Sequence, residues 1–322
     1  MKRWFLIYSL CLPGLLPAES SSAAGTIAAP VLGYFSDTAA QRLRSIQGIP
    51  GASVVGEALP APGGASIVAI SSERDFALGA DGQAVTMVSL PSGATSVLPG
   101  ATPGADRIVL SPGSKAAALY HSSGRTIEVL TGLPAAPNVA RTVTTQGLPD
   151  LAAIAVSDDG QMLLAVPGAT GRTVLLLDNG FLELPVPGNA AALAFRPQSQ
   201  DAVVVTASRQ IWLVHQGGRG GYDLIGDGVN AVTDPVAAEY SSDGSRVFVA
   251  NADGAVGVFD FAGGNPLVVT CSCSPTALVR LKGNSLFLLQ DTSSAVMKVF
   301  DGGSAAPRVF FVPAPHSEDN DR

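Results

Sequence analysis

Apolar and polar residues alternate along most of the chain in short runs, and each run ends in a cluster of Gly, Pro, Asp, Asn or Ser. Alternation with a period of two is typical of β-strands, and such clusters are typical of the turns between them. The clearest example is Leu151–Gly180, LAAIAVSDDGQMLLAVPGATGRTVLLLDNG, which reads as strands separated by tight turns. The pattern predicts an all-β chain.

This three-strand unit recurs along the sequence. A close copy spans Val236–Gly263, and weaker copies begin at Ser66, Arg107, Ala192 and Ala277. A repeat of about 40–45 residues with three or four strands is typical of a β-propeller blade. Aligned just before the first turn of each unit are Ile70, Leu110, Val156, Phe195, Tyr240 and Leu281.

Each unit also leaves room for a fourth strand before the next unit begins. The candidates are Ala94–Leu98, Val139–Thr144, Phe181–Val186, Gly221–Ile225, Leu267–Thr270 and Arg308–Val312. The segment Val31–Leu59 matches only a second, third and fourth strand. The sequence therefore predicts a seven-bladed β-propeller with one partial blade, and six blades with an outer N-terminal ribbon is the alternative. A closed ring removes exposed sheet edges that would otherwise aggregate.

Two segments carry a family resemblance. SDDGQMLLAV from Ser157 and SSDGSRVFVANADGAVGVFD from Ser241 resemble the YVTN/WD40-like β-propeller repeats of secreted bacterial proteins. The resemblance covers roughly residues 31–313 and weakens where Arg74-Asp75, Pro112-Gly113 and Gln198–Gln200 replace the Asp-Gly turn. It implies the propeller fold and leaves the activity open, because the repeat residues build strands and turns.

The N-terminus has the features of an export signal. Lys2 and Arg3 precede the apolar run Trp4–Leu16, and small residues follow it, which is the pattern of a secretory signal peptide. The run is shorter than the roughly 20 apolar residues of a membrane-spanning helix, so no membrane span is expected. Cleavage is expected after Ala24, with Ala18 as an alternative.

Lipidation at Cys11 is disfavoured because the bulky Leu10 precedes it. The expected organisation is a signal peptide at 1–24, a single propeller domain at 25–315 and a charged tail at 316–322. The expected location is secreted or periplasmic, with association with the cell surface left open.

Composition narrows the classes of function. The chain of 322 residues has 47% hydrophobic and 14% charged residues and a net charge of −7. This hydrophobicity excludes a disordered chain. The acidic balance argues against nucleic-acid binding, which needs a basic face. The 36 Gly and 23 Pro residues disfavour long helices.

Three links between units end in an acid: Asp106, Asp150 and Asp234. A ring of carboxylates around a channel could hold Ca²⁺, which takes six to eight oxygen ligands. The favoured alternative is that each Asp accepts backbone N–H bonds in its own loop, because Asn189 and Pro275 interrupt the ring. No other cofactor is expected.

Cys271 and Cys273 are the only thiols left after removal of Cys11. An oxidising compartment favours a disulfide between them, and free or buried thiols are the alternative. Zinc is disfavoured because it needs four ligands and the chain has no second cysteine pair.

Catalytic motifs are not found in the sequence. His121, His215 and His316 stand apart, with His121 interpreted as a polar turn residue. The glycine-rich Gln216–Gly221 (QGGRGG) lies between two predicted strands and is expected to be a hairpin loop rather than a phosphate site.

We therefore expect a non-enzymatic binding or scaffolding module for a protein or a small polar ligand. Strands in a blade alternate in direction, so the second-to-third turns and the links between blades share one face, where binding is expected. The alternatives are a periplasmic lactonase-like or metal-dependent hydrolase and a cell-surface structural protein.

Overall fold

The computed structural model describes residues 29–37, 41–62, 67–90, 92–227, 230–291, 296–303 and 306–313. These residues form seven antiparallel sheets and contain no α-helix. The predicted signal peptide at 1–24 and the charged tail at 316–322 lie outside the described residues.

Each sheet is one blade, and its strands are numbered in chain order. Blade 1 consists of β1 (Val31–Asp37), β2 (Arg42–Ile49) and β3 (Ala52–Pro60). Blade 2 consists of β4 (Ile67–Ile70), β5 (Phe76–Ala80), β6 (Val85–Ser89) and β7 (Thr95–Val97). Blade 3 consists of β8 (Arg107–Leu110), β9 (Ala116–His121), β10 (Thr126–Thr131) and β11 (Asn138–Thr144). Blade 4 consists of β12 (Leu151–Val156), β13 (Leu163–Pro167), β14 (Val174–Leu177) and β15 (Gly180–Glu183).

The other three blades also have four strands each. Blade 5 consists of β16 (Ala190–Phe195), β17 (Ala202–Thr206), β18 (Gln210–His215) and β19 (Gly221–Asp227). Blade 6 consists of β20 (Pro235–Tyr240), β21 (Arg246–Asn251), β22 (Ala255–Asp260) and β23 (Leu267–Thr270). Blade 7 consists of β24 (Pro275–Arg280), β25 (Leu286–Asp291), β26 (Met297–Asp301) and β27 (Arg308–Val312).

The seven-bladed propeller predicted from the sequence is confirmed. Strands pair with their chain neighbours in every blade. The N-terminal segment builds a blade of its own, so the six-blade alternative is wrong. All six predicted fourth strands are present as β7, β11, β15, β19, β23 and β27, with ends shifted by a few residues.

The hydrophobic core is divided into clusters that lie between neighbouring blades. Successive side chains of a strand point to opposite sheet faces, so each blade presents an apolar surface to both neighbours. Between blades 3 and 4, for example, Ile127 and Val129 pack with Leu163 and Leu176. The apolar run Val203–Val205 is completely buried for this reason.

The first turn of each blade is closed by similar hydrogen bonds. In blade 4 the amide of Ser157 donates to Met162 O, and the amide of Gly160 donates to Ser157 O. Gly160 has φ 69°, a left-handed conformation that glycine adopts at low cost. At the same turn position Arg74 and Ser114 have φ 59° and 53°, so the turn keeps its shape where the Asp-Gly pair is lost.

The sequence alignment of blade 7 was wrong by one residue. The amide of Leu281 donates to Leu286 O, the bond that Ser157 makes to Met162 in blade 4. Leu281 is therefore the first residue of the turn, and Arg280 ends the strand. The hydrophobic pattern predicted that the apolar Leu281 ends the strand. In the structure the first turn residue Leu281 is buried against blade 1, and the last strand residue Arg280 faces the channel.

Blade 1 consists of second, third and fourth strands, as predicted for Val31–Leu59. Leu32 O accepts a hydrogen bond of 2.6 Å from the amide of Lys282, and Gly33 lies against Leu281. These partners belong to the first turn of blade 7. The strand β1 therefore starts at the face of the first turns, as the second strands of the other blades do. No strand among the described residues pairs with the inner side of β1.

Candidate functional site

The ends of the inner strands surround a cavity of about 330 Å³ in the central channel. Most of its lining residues are apolar, and Val68, Ile108, Ile154, Leu193 and Leu278 are each contributed by a different blade. A cavity of this volume is at the lower end of the range for ligand pockets, about 300–1,000 Å³. The channel is therefore the candidate site.

The cavity opens toward the face of the first turns, since Ser72, Ser111 and Ser114 belong to its lining. The sequence instead favoured the opposite face, formed by the second-to-third turns and the links between blades. On that face these segments bond mainly to each other, as where the amide of Ala252 donates to Asp234 O.

One ion pair lies among the apolar lining residues of the channel. Arg280 Nη2 lies 3.0 Å from Glu239 Oε2 and also donates to Tyr240 O, while Arg280 Nη1 donates to Ser242 Oγ. Burial raises the pKa of the Glu239 carboxyl, and the positive charge of Arg280 counteracts this. The guanidinium also lies over the Phe287 ring, 5.0 Å from its centre, which fixes its position.

Gln290 is a further polar residue in the lining. It lies opposite Ala277 on the second strand of blade 7. Its counterparts at the same register in the other four-stranded blades are Ala80, Tyr120, Val166, Val205 and Ala250. All five counterparts are buried, whereas Gln290 is exposed.

The exposure of Gln290 follows from the composition of blade 1. In the other blades this position is covered by the first strand of the next blade. Blade 1 has no such strand among the described residues, so the cavity extends between blades 7 and 2 and reaches Phe35 and Ser36 of β1.

The three acids proposed as a calcium ring lie on different blades. Asp106 Oδ2 accepts 2.6 Å bonds from both the amide and the hydroxyl of Ser122, and these bonds lower its pKa. Asp150 Oδ1 lies 3.2 Å from Arg125 Nη1, and Asp150 O accepts from the amide of Gly168. The amide of Asp234 donates to Asn251 Oδ1.

Through these contacts each of the three residues connects the link before its blade to a segment at or near the second-to-third turn. Within the described ranges, no three His, Cys, Asp or Glu side chains are grouped closely enough to hold a metal ion.

Cys271 and Cys273 form a disulfide in the structure, with their Cα atoms 5.2 Å apart. Both cysteines are buried between blades 6 and 7. The short loop that they close is held by Lys298, whose Nζ donates to Ser272 O at 2.8 Å and to Asp291 Oδ2 at 3.1 Å. The two cysteines are therefore buried and bonded to each other, and neither is an exposed thiol.

The histidines differ from the interpretation made from the sequence. His121 is the last residue of β9 and is buried, so it is not a turn residue. Its Nε2 lies 3.7 Å from Glu128 Oε2, while Glu128 accepts hydrogen bonds from Thr102.

His215 is not isolated either. Its Nε2 lies 2.9 Å from Asp223 Oδ2 and its Nδ1 lies 3.6 Å from Asp201. The hydrogen bond with Asp223 is the main cause of the raised pKa of His215. His316 lies outside the described residues. The glycine-rich segment begins with a single 3₁₀ turn, Gln216–Gly218, between β18 and β19, as expected of a hairpin loop.

Sequence reasoning missed Glu239, Arg280 and Gln290. Each occupies a position that is usually apolar in the repeat, and a position-by-position alignment of the strands would have shown the substitution. The opposing charges of Glu239 and Arg280 also lie one blade apart at neighbouring repeat positions, which is a pattern that such an alignment reveals.

Comparisons with known proteins identify the fold and no family. No family model and no curated protein matches the chain. A functionally unknown protein from Desulfotomaculum acetoxidans is similar with a TM-score of 0.62 and 15% identity, covering 88% of this chain and 100% of that one.

Two further solved structures are similar at a TM-score of 0.57. The β-propeller domain of Cps50 (Swd1) from Myceliophteria thermophila is 10% identical and covers 77% of this chain and 87% of its own. A protein from Bacteroides uniformis, described as a candidate 6-phosphogluconolactonase, is 14% identical and covers 88% of this chain and 96% of its own. Among the residues that the structure describes, no helix is long and apolar enough to cross a membrane.

Proposed function

We propose that this protein is an exported, non-enzymatic binding module that holds a ligand in its central channel. The observation that supports the proposal is the cavity of about 330 Å³, whose mostly apolar lining residues surround the Glu239–Arg280 pair and Gln290. An apolar pocket with a few convergent polar groups is the usual form of a ligand site.

The charged pair supplies polar groups for recognition. Arg280 donates to three protein oxygens, on Glu239, Tyr240 and Ser242, so its guanidinium is held in one position. A hydrogen-bonded ion pair among apolar lining residues gives a ligand fixed polar groups, which orient it and give specificity.

Binding is tested by thermal shift with a panel of small polar molecules and short peptides. A ligand of the channel raises the Tm of the wild-type protein, and above Kd the stabilisation grows with the logarithm of the ligand concentration. The variant Val109→Trp places an indole in the cavity lining and is expected to abolish the shift. The matched control Gln161→Trp, at an exposed first-turn position, is expected to retain it. Equal shifts in all three proteins contradict channel binding.

A hydrolase of lactones is the alternative, favoured by the structural similarity to the protein from Bacteroides uniformis. It is tested by turnover of lactones and phosphate esters with and without Ca²⁺, Mg²⁺ or Zn²⁺. Our proposal predicts that the wild-type protein shows no more turnover than Val109→Trp, the variant whose cavity is filled. Metal-dependent turnover that is lost on changing Asp106, Asp150 or Asp234 to Ala would replace the proposal with a metal-dependent hydrolase.

Export is proposed from the sequence alone. Expression of the full chain in a bacterial host should yield protein outside the cytosol whose mass corresponds to a start at Gly25. A start after Ala18 would move the cleavage site, and an intact N-terminus in the cytosol would contradict export.

A further inference from the structure

Glu239 is an ionisable residue at a position of the inner strands that is otherwise apolar. It lies opposite Phe248 in the register of blade 6. The residues at the same register in blades 2, 3, 4, 5 and 7 are Ala69, Val109, Ala155, Ala194 and Val279. All six residues line the cavity. The chain therefore places one carboxyl in the channel where five other blades place a small apolar side chain.

Arg280 pairs with this carboxyl and is itself held by the protein. Its Nη2 donates to Glu239 Oε2 at 3.0 Å and to Tyr240 O, and its Nη1 donates to Ser242 Oγ at 3.2 Å. Its guanidinium also lies over the Phe287 ring. These contacts leave the side chain of Arg280 only 9% exposed. The guanidinium thus favours the charged form of Glu239 and offers little of its own surface to a ligand.

The carboxylate, in contrast, is open to the channel. The side chain of Glu239 is 32% exposed, and among the described residues only its Oε2 accepts a hydrogen bond. A buried ion pair adds little stability over well-packed apolar residues, so stability alone does not explain an acid at this position. The open oxygen Oε1 is an acceptor that a ligand in the cavity can use.

The other lining residues are suited to an apolar body. On the two blades that flank blade 6, the cavity is lined by Leu193 and Ala194 and by Leu278 and Val279. Glu239 and Arg280 are the only charged residues among the described lining residues. A ligand with a positively charged donor would form a charge-assisted hydrogen bond with the carboxylate, while its apolar part gains free energy by leaving water.

We propose that the channel binds a primary amine whose ammonium group donates to Glu239 Oε1 and whose apolar body packs against Leu193 and Leu278. This proposal rests on the proposed function and names the ligand class for the same cavity. An anionic ligand is disfavoured, because the exposed member of the ion pair is the acid and the guanidinium donors are directed to protein oxygens.

The probes are four small molecules with the same six-carbon apolar body: hexylamine, 1-hexanol, hexanoate and hexyltrimethylammonium. Binding to the purified protein is measured by isothermal titration calorimetry at pH 7, where the amine is protonated, since its pKa is close to the value of about 10.4 for lysine. Saturable binding of hexylamine is expected. The alcohol lacks the charge and the trimethylammonium lacks an N–H donor, so each is expected to bind at least tenfold more weakly. Hexanoate is expected not to bind.

A matched pair of variants locates the ammonium group. Glu239→Gln keeps the shape of the side chain and removes its charge, and it is expected to weaken hexylamine binding at least tenfold. Glu57→Gln makes the same change at an exposed position on β3 and is expected to bind as the wild type does.

A double variant tests the same point without leaving Arg280 unpaired. Replacing a buried ion pair by apolar residues of similar volume is often tolerated, so Glu239→Met combined with Arg280→Met is expected to fold. This variant should bind 1-hexanol at least as tightly as hexylamine. Circular dichroism and Tm confirm that each variant is folded.

The outcomes separate this proposal from the proposed function. The amine proposal is overturned if hexylamine does not saturate, if the wild type does not prefer it to 1-hexanol, or if either Glu239 variant keeps that preference. Hexylamine binding that persists in Val109→Trp places the amine outside the channel and also overturns the proposal. If other molecules then still raise the Tm in a manner lost in Val109→Trp, the channel remains a ligand site for another class of ligand. If nothing binds in the channel, both proposals fall.

Discussion

At the scale of single residues, the first turns show how one conformation is kept by different side chains. Gly160 and Gly244 have φ of 69° and 67°, and Ser114 reaches a similar φ of 53°. Ser114 compensates for this unfavourable conformation because its Oγ accepts a 2.8 Å bond from the amide of Ser72 in the neighbouring blade. The turn conformation is thus stabilised by contacts between blades as well as by residue type.

Gly160→Ala is expected to destabilise the protein by about 1–3 kcal/mol. A left-handed φ costs a non-glycine residue roughly 1–2 kcal/mol, and the added Cβ would lie 2.8 Å from Thr131 Cγ2. Urea unfolding measures the change. Gly82→Ala is the control, since a Cβ there meets nothing within 4 Å. A loss for Gly160→Ala no larger than that of the control would show that the turn relaxes without strain.

The acid stability of the protein should depend on Asp243. Hydrogen bonds from Ser241, and then from Ser245 and Asn284, lower the pKa of the Asp243 carboxyl. A lowered pKa means that the carboxylate stabilises the fold above its ordinary pKa of about 3.9, and that this contribution is lost as the pH falls further. Asp243→Asn should therefore be less stable than the wild type near pH 6, with the difference shrinking below about pH 4.

Unfolding free energies measured across this pH range test the dependence on Asp243. Asp253→Asn, at an exposed turn of the same blade, is the control for removal of a surface charge. A difference for Asp243→Asn that stays constant across this range would show that its hydrogen bonds do not act through the charged form.

At the scale of elements, the first turns are joined into a chain of contacts across blades. Asp158 Oδ1 accepts a 2.6 Å bond from the amide of Gly113 in blade 3, and Oδ2 accepts a 2.8 Å bond from the amide of Gln198 in blade 5. Asn284 and Asp243 form a similar contact between blades 6 and 7. The polar turns therefore help to hold neighbouring blades together.

Asp158→Ala is expected to lower the free energy of unfolding by about 2–3 kcal/mol, because it leaves two backbone amides without an acceptor. A hydrogen bond to a charged group contributes about 1.5–3 kcal/mol when it is buried, and the partial exposure of Asp158 reduces this contribution. Asp158→Asn keeps one acceptor oxygen and should lose less. Glu57→Ala, an exposed change on β3, is the control. Losses under about 0.5 kcal/mol for Asp158→Ala would mean that water replaces both bonds.

The elements themselves were largely predictable, since strand period and turn composition are local properties. The fourth strands and the partial first blade were found because their apolar alternation does not depend on tertiary contacts. Arg280 and Leu281 were misaligned because burial between blades 7 and 1 reverses the usual polarity at that turn. Gln290 was missed because its exposure depends on how the neighbouring blade covers it, which no local pattern contains.

At the scale of the whole molecule, the ring closes by packing between the first and last blades. Leu281, Leu286 and Leu288 of blade 7 contact Leu32 and Ile46 of blade 1. The cluster between blades 1 and 2 is smaller and consists of Tyr34, Leu43, Ala77, Val88 and Leu90. Among the described residues blade 1 has three strands, and the cluster that it shares with blade 2 has the fewest buried members. We expect it to open before the rest of the ring.

This difference between blades can be measured with two truncations of similar chemistry. Leu281→Ala and Leu164→Ala each remove a completely buried leucine, and each is expected to cost about 2–5 kcal/mol. Leu164 lies between blades 4 and 5, so its loss should weaken the ring without favouring the opening of blade 1. Leu281→Ala should instead speed amide hydrogen exchange in β1, β2 and β3 at least tenfold more than in β12–β15. Local opening explains this result, because segments that bury little apolar surface exchange by sub-global unfolding. Equal acceleration in all blades of Leu281→Ala would show that the ring opens as one unit, in which case blade 1 is held by contacts beyond its apolar clusters.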